Sequence, residues 1–374
     1  MNTVAPITRR MLLLSAASLG LPASGARAAA EAMRPRPLVF PRDHGTHNGA
    51  RTEWWYLTGH AKDSQGRDFG FQITFFRSRV DEARALPGRL AARQLLFAHA
   101  AITDVAGQRL HHDERIARWN GEPPTVRERG VFAREADTEI VLRDWFLRRR
   151  ADGGYSVGAL GERLLIDLEA DSPQAWLLQG DGGFSRKGPE PSQASFYISQ
   201  PQLRVRGTLG LAGQRFEVTG TGWLDHEWSE ALMHPEAVGW DWIGMNLFDG
   251  QALTAFRLRR ADGSALWAGG SLRTAADAQN PHAIRRFAPG EVEFRAQRWW
   301  TSPLTRTRYP VEWAVRTPTE VYTVRALADA QELDSRASTG AIYWEGLCEL
   351  LGSQGRVVGR GYLEMTGYAS RLVL

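Results

Sequence analysis

Cysteine is almost absent. Cys348 is the single one in 374 residues, so no disulfide can form within the chain and no thiolate cluster can hold a metal. Lysine is nearly as scarce, at Lys62 and Lys187 alone, and the positive charge is arginine scattered among acids. Nucleic-acid binding needs a basic stripe and is not expected. No apolar run approaches the roughly 20 residues of a membrane span, so no transmembrane segment is expected in the mature chain. A Gly-x-Ser-x-Gly elbow is missing, which removes support for a serine triad of that kind. Helical periodicity is weak, with Arg84 to Arg93 and Thr274 to Arg286 the best candidates.

What is present is a globular composition behind an export leader. Hydrophobic residues make up 43% of the chain and charged ones 24%, and the length favours two domains over one. Residues 1–28 carry a polar stretch ending in Thr8-Arg9-Arg10, an apolar run from Met11 to Leu21, and the small-residue site Ala26-Arg27-Ala28. The paired arginines ahead of Met11 resemble a twin-arginine signal, which exports proteins already folded. The expected location is periplasmic or secreted, with no lipid anchor. Removing the leader, with Arg9, Arg10 and Arg27 and no acid, takes the formal charge from +4 to +1.

After the Pro-rich joint Arg34-Pro35-Arg36-Pro37, short alternating segments follow one another with Gly, Asp-Gly or Asn-Gly between them. Trp54 to Gly59, Gly70 to Arg77, Leu95 to Asp104, Phe216 to Trp223, Trp240 to Leu247, Gly340 to Leu350 and Val357 to Met365 all read as strands. Asp249-Gly250 and Asp262-Gly263 read as hairpin turns, where Gly supplies the positive φ. Many short antiparallel strands imply an all-β fold of closed barrels or sandwiches, because free edges invite pairing with other chains. The division is placed near residue 230, giving domains 38–230 and 231–374, and the polar stretch Gly180 to Ala194 reads as a long surface loop.

Two constellations carry candidate chemistry. The first is Phe40-Pro41-Arg42-Asp43-His44-Gly45-Thr46-His47, followed by Glu53-Trp54-Trp55-Tyr56. Its Asp and His residues either serve a site directly or hydrogen-bond the backbone at the start of a strand. In an extended chain Thr52, Trp54 and Tyr56 share one face and Glu53 and Trp55 the other, so large aromatics would line a barrel lumen. The second is Gly222-Trp223-Leu224-Asp225-His226-Glu227-Trp228, followed by Gly239-Trp240-Asp241-Trp242. Leu224, His226 and Trp228 face one way and Trp223, Asp225 and Glu227 the other. A His between Leu and Trp is easier to place in an apolar pocket, which would leave the acids outside to pair with arginines. His99 falls on the face of Leu95 and Phe97, the third His in an apolar strand, and is either structural or part of the pocket.

The blocks from Phe40 to His44, Glu53 to Gly59, Trp223 to Trp228 and Gly239 to Trp242 resemble the carotenoid 1,2-hydratase and AttH-type lipocalin-like family, over about residues 38–372. The resemblance implies two tandem lipocalin-like antiparallel β-barrels with the site near their junction. It implies addition of water to a terminal isoprenoid double bond, which needs an acid to protonate carbon, aromatic faces to stabilise a carbocation and a base for water. His226 matches the family's motif His, a candidate for activating water, and Trp228 its Trp, a candidate for packing the cation or ligand. Asp225 and Asp43 are the acid candidates, and Trp54, Trp55, Tyr56, His99, Trp240 and Trp242 the candidate ligand contacts. No cofactor and no metal are expected, and the expected partner is a small apolar isoprenoid, carotenoid or lipid.

One departure stands out. Carotenoid hydratases carry a Tyr-x-Asp pair on a strand shortly after the Trp motif, whereas Gln251 to Arg260 contains neither Tyr nor acid. Three readings stay open. A hydro-lyase predicts an acid reaching the same cavity as His226, a non-catalytic carrier predicts an aromatic cavity without one, and a metal-dependent hydrolase predicts that His44 or His47 converges with His226 and a carboxylate.

Overall fold

Alternation of apolar and polar residues dictates strands almost throughout. The computed structural model describes residues 33–88, 90–123, 130–231, 233–275 and 283–372. A 13-stranded antiparallel sheet takes β1 (Thr52–Asp63), β2 (Asp68–Arg79), β3 (Gln94–Asp104), β4 (Arg109–Trp119), β5 (Val131–Ala133), β6 (Glu139–Leu142), β7 (Trp145–Arg149), β8 (Tyr155–Leu160), β9 (Leu164–Asp171), β10 (Leu177–Leu178), β11 (Phe184–Arg186), β12 (Ala194–Leu211) and β13 (Gln214–Ser229). A 10-stranded one takes β14 (Gly239–Leu247), β15 (Ala252–Arg259), β16 (Ala265–Arg273), β17 (Ile284–Phe287), β18 (Glu293–Thr301), β19 (Arg308–Arg316), β20 (Val321–Ala326), β21 (Glu332–Ser335), β22 (Ala341–Leu351) and β23 (Val357–Met365).

The first sheet runs β4-β3-β2-β1-β13-β12-β9-β8-β7-β6-β5, and its end strands β4 and β5 touch, so it curls into a nearly closed barrel. The second runs β17-β16-β15-β14-β23-β22-β20-β19-β18. The architecture is all-β, two lipocalin-like antiparallel barrels in tandem. Each barrel is filled by its inward residues. Trp55, Leu57, Phe75, Trp145, Ile166 and Leu224 pack the first, and Ile243, Met245, Trp313, Trp344 and Leu363 the second. A third cluster, with Tyr56, Trp223, Trp242, Leu347 and Tyr362, forms where the outer faces of the barrels meet.

That junction is close and polar as well as apolar. A Cβ on Gly70 would lie 2.7 Å from the Tyr362 hydroxyl, so only glycine lets β2 approach β23 this closely. Buried hydrogen bonds tie the barrels together. Thr103 Oγ1 donates to Gln331 Oε1 at 2.7 Å, Gln179 Nε2 to Thr254 Oγ1 at 2.9 Å, and Asn246 Nδ2 to the Gly222 carbonyl at 2.9 Å. Unsatisfied, each group would cost about 1–3 kcal/mol, so the network fixes one relative placement of the sheets.

Two local expectations are corrected. In the segments expected to be helical, the described residues form no α-helix. A 3-10 turn at Asp81–Ala83 precedes the first, and Ile284–Phe287 of the second is a strand that pairs with β16. The stretch Gly180 to Ala194 is not simply a surface loop. Part of it is β11, paired with β12, and Lys187 beyond it is only 6% exposed. Gly250 and Gly263 do adopt positive φ, at 90° and 84°. The export signal concerns residues 1–28, which lie outside the described residues. Among the described residues no helix is long and apolar enough to cross a membrane.

Candidate active site between the barrels

Strand pairing decides which side chains meet. On β1 Trp54 stands opposite Glu227 of β13, Tyr56 opposite Asp225, and Trp55 opposite His226. Trp54, Tyr56, Asp225 and Glu227 therefore share one face, and it points out of the first barrel toward β14, β22 and β23. A cavity of about 330 Å³ lies there, at the junction of the barrels and not in a lumen. Trp54, Tyr56, Trp240, Trp242, His99 and Asp225 line it, together with Tyr197, Phe256, Tyr343 and the acids Glu227, Glu345 and Glu364.

The expected orientation of β13 is thus inverted. The acids face the cavity, while His226, Trp55 and Trp228 lie on the opposite face and Asp43 sits in a 3-10 turn (Arg42–His44) ahead of β1, none of them lining the cavity. The reason is that the Leu224 and His226 face fills the first barrel, where the Trp55 ring stacks on His226 at 4.7 Å. The strand's other face meets a second barrel instead of solvent.

The acids differ in their surroundings. Asp225 is buried, which raises it, while Ser199 Oγ at 2.6 Å, Tyr197 Oη at 2.7 Å and Trp223 Nε1 at 2.7 Å all donate to it and hold it down. Burial wins, and Asp225 is pushed up to about 7. Glu345 is also pushed up to about 7 by burial. Gln72 Nε2 donates to its Oε2 at 2.9 Å. Its Oε1 makes no hydrogen bond, and the Tyr56, Gln72 and Tyr343 side chains lower its pKa less than burial raises it. Glu364 stands opposite Glu345 in register, and burial followed by the Glu345 charge raises it well above the carboxylate range. Glu227 is held differently, by Lys187 Nζ at 3.0 Å and a hydrogen bond from Ser195 Oγ. That ammonium lies 4.4 Å from the Tyr197 and Phe256 ring centres.

Behind β1 a second polar cluster surrounds Glu53. Its carboxylate accepts from Arg77 Nε at 2.9 Å, Thr46 Oγ1 at 2.8 Å and the His47 backbone N–H at 2.9 Å, and meets His47 Nδ1 at 2.8 Å and His226 Nε2 at 2.9 Å. Burial raises Glu53, but the Arg77 charge and the histidine bonds outweigh it and leave it well below the usual range. Burial lowers His226, which the Glu53 bond partly offsets. Asp43 accepts two bonds from Arg36 at 2.7 Å and one from the Val39 N–H at 2.6 Å. These and His47 overcome its burial and hold it far below its ordinary value, the reverse of what a proton donor needs. The stacked partner of His47 is Trp228, at 3.7 Å.

The ligand atoms of His47, Glu53 and His226 lie within 4.8 Å of one another, the convergence a metal-dependent hydrolase asks for. Yet the two histidine nitrogens bond the Glu53 carboxylate itself, and the buried Arg77 guanidinium on Glu53 opposes a divalent cation there. The donor set fits a closed hydrogen-bonded network better than a cation.

The sequence reading did not single out Glu345 or Glu364. The available signal was a lone acid inside an apolar strand, Tyr343-Trp344-Glu345-Gly346-Leu347 and Tyr362-Leu363-Glu364-Met365.

Similar proteins place the chain. A solved structure of a Nitrosomonas europaea protein described as an AttH is 42% identical, with a TM-score of 0.80 over 90% of this chain and 99% of that one. Kievitone hydratase from Nectria haematococca shares the fold at 12% identity, with a TM-score of 0.67 over 91% of this chain and 94% of that one. No curated protein sequence matches. The AttH-like family model matches residues 31–368. The chain belongs to the AttH-like family.

Proposed function

We propose that this protein is a hydro-lyase that adds water across a double bond of an isoprenoid or prenyl group held in the cavity between the barrels. One observation carries the reading: the buried Glu345 and the half-buried Glu364, both raised toward the protonated form near neutral pH, face an aromatic cavity. Protonating an alkene carbon needs an acid at hand, and burial beside a second carboxyl is how a protein keeps one at neutral pH. The pair Glu345 and Glu364 is assigned that role, supplying the acid missing from β15. Asp225, poised near 7 with three donors that favour its anion, is assigned to orient and deprotonate water. Trp54, Tyr56 and Trp242 offer ring faces to the intermediate cation. The shared fold with kievitone hydratase is compatible with this chemistry.

A cavity of about 330 Å³ is at the lower end of the roughly 300–1,000 Å³ of ligand pockets, sized for a prenyl group or one end of a longer isoprenoid. The test is to incubate the protein, and the Glu345→Gln variant, with acyclic isoprenoids and prenylated phenols and to follow mass. Gain of one water with wild type only supports the reading. Ligands retained unchanged by both proteins would make the cavity a carrier's. An exported location, from the leader, belongs to the same proposal.

A further inference from the structure

A file of side chains leads from the cavity to the surface. It begins at Glu345 on β22, whose Oε1 makes no hydrogen bond, and Tyr343, two residues earlier on the same face, lines the same cavity. The Tyr343 hydroxyl is 2.7 Å from His99 Nδ1 on β3, across the junction of the barrels. His99 Nε2 is 2.9 Å from Ser338 Oγ, in the turn between β21 and β22. The Ser338 hydroxyl donates to Glu114 Oε2 on β4, whose side chain is 21% exposed.

We propose that Glu114, Ser338, His99 and Tyr343 form a proton relay that reloads Glu345 from solvent, which rests on reading Glu345 as the proton donor. Every intermediate group is both donor and acceptor: two hydroxyls and one imidazole with a single proton. Burial lowers His99 to about 3, so its imidazole is neutral, as a relay requires, although the Glu114 carboxylate lies 4.0 Å from its Nε2. At rest Ser338 donates to Glu114, and the bond reverses once Glu114 takes a proton from water. Glu114 then donates to Ser338 Oγ, the Ser338 hydroxyl to His99 Nε2, His99 Nδ1–H to the Tyr343 oxygen, and the Tyr343 hydroxyl turns to the Glu345 carboxylate, to which it makes no hydrogen bond at rest. Each intermediate gains one proton and loses one. Glu345 ends as the acid and Glu114 as a carboxylate that takes its proton from water, while the His99 tautomer reverses. After hydration such a step is required, because the proton given to carbon came from Glu345 and the proton released by water went to Asp225. The free Oε1 of Glu345 is the atom left to receive it.

Infrared spectroscopy on rapid transfer into heavy water tests the relay without any substrate. The carbonyl stretch of a protonated buried carboxyl shifts on deuteration, and Glu345→Gln assigns the band by deleting it. The expected result is exchange within the mixing time in wild type, slowed by an order of magnitude or more in Tyr343→Phe and Ser338→Ala while the band persists. Exchange as fast in both variants as in wild type would overturn the relay. Should Tyr343→Phe fail to fold, Ser338→Ala, in a surface turn, decides alone. The outcome is separate from that of the hydration assay. Loss of hydration in Glu345→Gln with unchanged exchange in the relay variants leaves the donor in place and removes the relay, whereas slowed exchange without turnover of any substrate leaves the relay and removes the hydratase reading.

Discussion

Glu345 and Glu364 stand directly opposite each other on β22 and β23, two carboxyls on one face of a buried sheet with Trp242 opposite Glu364 on the other side. Two anions cannot share that space, so the pair holds at least one proton where isolated carboxyls would have none.

Replacing Glu345 by Gln keeps the shape and removes the acid. Hydration is expected to fall by about 10²–10⁴-fold, the range typical of a lost general acid, with ligand affinity retained. Binding measured by tryptophan fluorescence beside turnover separates the two effects.

The same variant has a signature in stability. Glu345 is raised from its ordinary 4.5 to about 7 in the fold, so between those values the folded state binds more protons than the unfolded one and stability falls as pH rises. Glu345→Gln lacks that loss. Relative to wild type it is expected to gain stability from pH 4.5 to 7, by on the order of 3 kcal/mol, and to gain further above pH 7 because Glu364 loses the charge that raises it. Urea unfolding of both proteins across this range reads the difference, and parallel curves would remove Glu345 as a raised acid.

Asp225 gives a prediction about the pH profile. Tyr197 Oη donates to its carboxylate, and removing a donor to the charged form raises the pKa further. In Tyr197→Phe the acid limb of kcat/KM is expected to move to higher pH by about one to two units, since a hydrogen bond to a charged group contributes roughly 1.5–3 kcal/mol and 1.36 kcal/mol is one unit. An unmoved limb would assign the base elsewhere.

The fold was legible because alternation and turn glycines are local properties. The strand carrying Trp54 and the one carrying Asp225 could be read residue by residue, including which residues share a face. Which face met what was not local. His226 was expected in the pocket because its neighbours Leu224 and Trp228 are apolar, but that face fills the first barrel. The acids were expected outside, but outside the first barrel lies the second. Glu345 and Glu364 lie far along the chain from Trp54, and only the packing of β22 and β23 against β1 and β2 brings them to it. Strand β4, Arg-Leu-His-His-Asp-Glu-Arg-Ile, was hidden for another reason: it closes the barrel with both faces partly wet and has little alternation to detect.

The Glu53 cluster is expected to hold the fold together. Glu53→Ala leaves the Arg77 guanidinium buried without a carboxylate and should cost about 3–5 kcal/mol, whereas Glu53→Gln with Arg77→Met removes both charges and should recover much of it. Thermal unfolding with added zinc supplies a control. Because Arg77 already holds Glu53, zinc is expected to leave Tm unchanged, and a rise that depends on zinc concentration would make the cluster a metal site.

The most direct test of the acid pair is hydration in heavy water followed by mass spectrometry and proton spectroscopy of the product. Wild type is expected to return a substrate that has gained one water and one carbon-bound deuterium, and Glu345→Gln to return it unchanged. A hydrated product formed equally fast by Glu345→Gln would contradict the assignment of the proton donor to this cavity.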